Sequence, residues 1–265
     1  MKFCLRYLVL GLWVTTLQTV SAAPGEQNTS RIFQYSTINA LLLGYLDGEL
    51  TYQQLATKGN FGLGTFNALN GEMVALDGQF YQIRVDGKAY PVTPQAKTPF
   101  ATVTHFSPDQ LVKLPENLSY EQLQKLLDRH IEKRGQFQAI RIDGSFKALK
   151  VRSVPKQKPP YRTLAEITQT EMATYEHKSV VGSLVGFRTP DYMNSLNVAG
   201  YHFHFIDQER KFGGHVLSLT TAEGDIAIDN IRDLELTLPN DRNFDRLNLG
   251  KDQSKDLKAV EQGHQ

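Results

Sequence analysis

Tyr201-His202-Phe203-His204-Phe205, followed by a turn-rich stretch and then His215, holds the residue types in this chain best suited to chemistry. Successive side chains of a strand alternate faces, so His202 and His204 share one face while Tyr201, Phe203 and Phe205 take the other. Residues 207–214 contain several turn formers, so a strand starting at His215 folds back against the first and brings a third imidazole beside the pair. Three nitrogen ligands leave positions on a divalent metal open for water or substrate, which is the catalytic kind of site. His-x-His alone also fits an ordinary half-buried strand edge. The third histidine is what points to zinc or another divalent metal. Neutral imidazoles leave the ion its full charge, making it a strong Lewis acid. Spacing does not choose among hydrolysis, hydration and carbanion stabilisation. His105, His130, His177 and His264 have no histidine nearby in sequence and read as structural or solvated.

The elements that must position these histidines read as an α+β fold, with mixed or antiparallel sheets and few helices. Asn70-Gly71, Asp77-Gly78, Asp86-Gly87 and Asp143-Gly144 each separate apolar or alternating stretches, the strongest short-range hairpin signal. Residues 79–85 alternate as Phe80, Tyr81, Ile83 and Val85, which suits a meander with one face in water. Strands are expected at 180–187, 199–206, 215–220, 226–228 and 234–238. Leu41, Leu42, Leu43 and Leu46 mark a helix over 39–46, ended by Asp47-Gly48. Ser119-Tyr120-Glu121-Gln122 opens another, carrying Leu123, Leu126, Leu127 and Ile131. The charged tail from residue 240 reads as a short helix or a loose end. The Pro- and Lys-rich stretch 155–160 is the expected boundary between two packed regions, 23–155 and a β-rich 156–265 carrying the metal hairpin.

The chain has 265 residues and a formal charge of +1, a balance that argues against a nucleic-acid binder despite the local cluster Lys147, Lys150, Arg152, Lys156 and Lys158. Residues 1–22 read as a secretory signal. Lys2 and Arg6 precede an apolar stretch, and Val20-Ser21-Ala22 supplies a small-residue cleavage pattern. Cleavage after Ala22 predicts export to the periplasm or the medium, with no retained membrane anchor. The one cysteine, Cys4, lies inside that segment, so thiolate ligands, a cysteine nucleophile and disulfides are excluded from the expected mature chain.

Gly200-Tyr201-His202-Phe203-His204-Phe205-Ile206-Asp207, followed by Gly213-Gly214-His215-Val216, resembles the signature of α-acetolactate decarboxylases. Phe61-Gly62-Leu63-Gly64-Thr65-Phe66, Gly71-Glu72-Met73-Val74-Ala75-Leu76-Asp77-Gly78, Ala139-Ile140-Arg141-Ile142-Asp143-Gly144 and Val185-Gly186-Phe187-Arg188-Thr189-Pro190 resemble further family motifs, in family order. The resemblance implies non-oxidative decarboxylation of 2-acetolactate to acetoin at zinc, the metal acting as electron sink for the enediolate. It implies His202, His204 and His215 as ligands, with Glu72, Thr65 and Arg152 around them. Arg152 sits in Val151-Arg152-Ser153-Val154, where Ser153 departs from the family's threonine, so Arg141 is held in reserve. Glu261 matches a carboxylate of the C-terminal tail. A homodimer is a further family expectation.

These residue types suit that reaction. An arginine can orient a departing carboxylate, and a carboxylic acid, Glu72 or Glu261, can protonate the carbon left behind. Two other readings compete: an exported zinc hydrolase or lyase using metal-bound hydroxide, and a non-catalytic metal-binding protein.

Overall fold

A computed structural model describes residues 31–262, together with Met1. Residues 2–22 of the expected signal segment and His264 lie outside the described residues. The first half runs through β1 (Arg31–Tyr35), α1 (Ile38–Leu42), β2 (Leu50–Thr51), α2 (Tyr52–Leu55), β3 (Phe61–Thr65), β4 (Glu72–Leu76), β5 (Gln79–Ile83) and β6 (Ala89–Pro91). Then come β7 (Lys97–Thr98), β8 (Ala101–Thr104), β9 (Gln110–Leu114), α3 (Tyr120–His130) and β10 (Phe137–Ser153). The rest comprises α4 (Leu164–Glu171), β11 (Ala173–Thr189), β12 (Gly200–Asp207), β13 (Gly213–Ile231), β14 (Asp233–Thr237), α5 (Arg242–Asp245) and α6 (Ser254–Gln262).

The helices start where side chains satisfy their free amides. The Thr37 hydroxyl accepts from Ala40 N–H ahead of α1, and Ser119 with Gln122 forms a capping box ahead of α3. Leu123, Leu126 and Leu127 then face the core at helical spacing. Capping boxes also start α2, Thr51 with Gln54, and α4, Thr163 with Glu166.

Seven strands form one sheet in the order β14-β1-β8-β3-β4-β5-β6, with β1 and β14 parallel and its other pairs antiparallel. The second sheet is β10-β11-β12-β13-β9, and β10 also pairs with β13, so four strands close into a ring. Its shortest join is β12 with β13, through His204↔His215, Phe205↔Gly214 and Ile206↔Gly213. Ile32, Phe61, Leu63 and Val74 of the first sheet pack against Phe137, Val185, Phe187 and Ile206 of the second. Phe203 and Phe205 point away from the histidine face into a core shared with α3.

Three expectations are corrected. Asp143-Gly144 is no hairpin; it lies inside β10, where Gly144 faces Gly182 on one side and Gly224 on the other. A Cβ on Gly144 would meet Glu223 O at 2.4 Å and one on Gly224 would meet Asp143 O at 2.3 Å, so glycine serves close strand approach here. Likewise 215–220 and 226–228 are stretches of one bent strand, β13. The sheets also do not divide at residue 155. Strand β10 precedes it and belongs to the second sheet, whereas β14 follows it and belongs to the first.

Candidate functional site

Strand register brings the polar groups together. His204 faces His215 across β12 and β13, and His215 faces Arg152 across β13 and β10. Thr65 faces Glu72 across β3 and β4. Glycines make this crowding feasible. At Gly214, φ is +151° and a Cβ would meet Arg152 O at 2.5 Å; at Gly71, φ is +87° and a Cβ would meet Ile83 O at 2.1 Å. A register shift between Lys150 and Val151 re-aims the start of β13 beside them.

The ring nitrogens of the three histidines offer ligand atoms within 4.8 Å of one another, and all three side chains are buried. His204 Nδ1 lies 2.8 Å from Met73 O. A carbonyl only accepts, so Nδ1 carries the proton and Nε2 turns its lone pair to the site. That Nε2 has no hydrogen-bond partner, nor has His202 Nδ1. His202 Nε2 and His215 Nδ1 stand 3.1 Å apart. Burial lowers the pKa of His202 to about 3, helped by Arg152, and that of His204 to about 4; it also holds His215 well below its ordinary value. Buried, neutral imidazoles with a ring nitrogen left unpaired are what a divalent cation requires.

Around them the charges are arranged in two groups. Arg152 Nη1 donates to Glu72 Oε1 over 2.7 Å, and Glu72 Oε2 lies 3.6 Å from His204 Nε2. On the other side, Glu261 Oε2 of α6 lies 3.8 Å from His202 Nε2 and 3.7 Å from His215 Nε2. Burial raises the Glu261 carboxyl to about 7, with Arg152 acting against it. The Thr65 hydroxyl lines the same cavity but donates to Gly71 O over 2.7 Å, which ties down the turn carrying Glu72. Ser153 keeps a hydroxyl and donates it to Ile83 O over 2.9 Å beside Arg152.

The seven leading candidates therefore line one small cavity, of about 30 Å³. Arg141, the reserve, does not; it is held at 2.6 Å by both Asp77 and Asp143. What the sequence reading missed is the cavity's apolar side, supplied by Ile38 and Leu41 of α1, Phe100, Leu164 of α4 and Val260 of α6. The Thr163-to-Glu166 capping signal was available to locate α4.

Comparison with known proteins agrees with this geometry. The sequence model of the alpha-acetolactate decarboxylase family matches residues 32–251. An alpha-acetolactate decarboxylase of Methanosarcina mazei is 45% identical over 230 residues, spanning 87% of this chain and 80% of its own. That of Bacillus subtilis is 38% identical over 248 residues, spanning 93% and 97%. A crystal structure of the Bacillus subtilis enzyme superposes with a TM-score of 0.85 at 37% identity, covering 89% of this chain and all of the other. A Staphylococcus aureus protein described as similar to that enzyme gives 0.82 at 27% identity. With most of its length matched in sequence and in fold, the chain belongs to the alpha-acetolactate decarboxylase family.

Proposed function

We propose that His202, His204 and His215 hold zinc on the β12–β13 hairpin, and that this centre decarboxylates 2-acetolactate to acetoin and CO2. The observation that carries the reading is the placement of three convergent neutral imidazoles between a cationic group, Arg152, and a half-buried carboxylic acid, Glu261. When bound, the ion supplies Lewis acidity toward the hydroxyl and keto oxygens of a 2-hydroxy-3-oxo acid.

The chain's own groups do the rest. Arg152 has a buried Nε without a partner, a donor available to the substrate carboxylate. Glu72 keeps the guanidinium in place and balances its charge. Breaking the bond from C2 to the carboxyl carbon releases CO2 and leaves the electron pair on C2, conjugated with the ketone. Glu261, whose carboxyl burial raises above its ordinary value, donates its proton to that carbon. The burial of the cavity keeps bulk water from competing.

We further propose that residues 1–22 are an export signal, that the protein acts in the periplasm or the medium, and that it pairs as a homodimer. The basic start, apolar stretch and Val20-Ser21-Ala22 support the first two; family membership supports the third.

The test is one preparation assayed for metal content and for acetoin from racemic 2-acetolactate. Stoichiometric zinc with acetoin enriched in one enantiomer is expected; decay no faster than the spontaneous reaction overturns the proposal. Size-exclusion chromatography with light scattering tests the dimer, and the N-terminal sequence of exported protein tests the cleavage site.

A further inference from the structure

The cavity is divided by chemistry. One side carries Thr65, Glu72, Arg152, Glu261 and the histidines; the other is a continuous apolar wall that includes Ile38, Leu41, Phe100, Leu164 and Val260. All five belong to one buried cluster, so the wall is also the inner surface of the core under α1, α4 and α6. A 2-hydroxy-3-oxo acid presents carboxylate, hydroxyl and ketone oxygens plus two short alkyl groups, one on C2 and one on the ketone. Pressing an alkyl group against the polar side would strip solvent from charged groups without replacing it. With its oxygens on the polar side, the molecule lays its alkyl groups on the wall.

Resting on the decarboxylase reading, we propose that Leu164 and Val260 set the size of the alkyl substituent this site accepts. Both are almost fully buried, at 4% and 1% exposure, and they come from two helices packed on one another. Their positions differ in an informative way. Leu164 is the first residue of α4, directly after the Thr163 cap, so its place is pinned by the capping box and not by any reacting group. Val260 immediately precedes Glu261 on α6, so its packing also holds the proton donor in place. Leu164 therefore acts on specificity alone, whereas Val260 acts on specificity and on proton delivery.

The experiment compares kcat/KM for 2-acetolactate with that for its homologue carrying ethyl in place of methyl on C2. The ratio of the two cancels the fraction of active protein, so partial misfolding of a variant does not distort it. Leu164→Ala is expected to shift the ratio toward the ethyl substrate by about tenfold or more. The milder Leu164→Val shifts it the same way by less. Val260→Ala shifts it too and also lowers kcat for both substrates. Leu127→Ala, equally buried but on α3 and outside the cavity lining, leaves the ratio unchanged. An unchanged ratio in both Leu164 variants overturns the inference, as does an equal shift in Leu127→Ala. Calorimetric affinities of the metal-loaded protein for the unreactive 2,3-dihydroxy analogues, methyl against ethyl, give the same comparison without turnover. A wild-type protein that makes no acetoin sinks the decarboxylase reading, while the affinity ratio still decides the role of the wall.

Discussion

Arg152 of β10 donates to Glu72 of β4 over 2.7 Å, so a single buried ion pair joins the two sheets at the site. Removing one partner leaves a buried charge uncompensated, which costs about 3–5 kcal/mol. Arg152→Ala is thus expected to be less stable in denaturant titration and to lose about 10²-fold or more in kcat/KM, as removal of a preorganised donor does. Its metal content should stay at the wild-type level. Loss of the metal together with activity contradicts the role assigned to Arg152.

Of the three proposed ligands, His204 has its tautomer set by a carbonyl, that of Met73. His204→Ala should lose both bound metal and activity. The wild type gains about 2.7 kcal/mol from an ion supplied at a hundred times its Kd, and the variant should gain almost none. Thermal unfolding with and without added zinc measures the difference.

The metal-free protein should weaken in acid. Unfolded imidazoles take up protons below 6.5, whereas burial, with help from Arg152 at His202, keeps folded His202 neutral down to about 3 and folded His204 neutral to about 4. The stability of these two is fully present above 6.5 and is lost as pH falls toward 3. Glu261 works in the opposite sense, since its folded carboxyl takes a proton near 7 and the unfolded one only near 4.5, and it offsets part of the loss. Denaturant midpoints of chelator-treated protein should fall between pH 6.5 and 4, and a flat profile there rules out neutral buried histidines.

Activity should depend on the protonated form of Glu261. Burial raises its carboxyl to about 7 in the metal-free protein and a cation beside it acts in the opposite direction, so kcat is expected to decline with rising pH along a limb lying at or below 7. Glu261→Gln should be slow at every pH and show no such limb. A variant that keeps the wild-type limb assigns the proton to another group.

Gly214 combines φ of +151° with a Cβ position 2.5 Å from Arg152 O. Gly214→Ala should therefore cost ~1–3 kcal/mol of stability and push His215 out of register, weakening metal binding. Chelator competition would show it.

Legibility in the sequence followed the range of the interactions. Capping chemistry is local, so Ser119 and Gln122 announce α3 within four residues of chain. Period-two alternation likewise places His202 and His204 on one face. Arg152 and Glu72 are 80 residues apart, and only the family motifs paired them with the histidines. Where a local signal misled, long-range packing was the reason. Asp143-Gly144 reads as a turn, yet three glycines from three strands meet there and allow β10 to run straight through. The crossing of β10 and β14 between sheets has no local signature at all. The apolar wall was invisible for the same reason, since its residues look like any other core leucines and valines until the fold turns them inward.

The ring of β10, β11, β12 and β13 is held by long ladders except at the three residue pairs that join β12 to β13. His204 and His215 form one of those pairs, with His202 two residues away. An ion bound there clasps the barrel at its weakest seam, in a chain whose only cysteine is Cys4. Catalytic centre and mechanical fastener are then one object, and amide protons along β12 and the start of β13 should become the first in the ring to exchange when the ion is withdrawn.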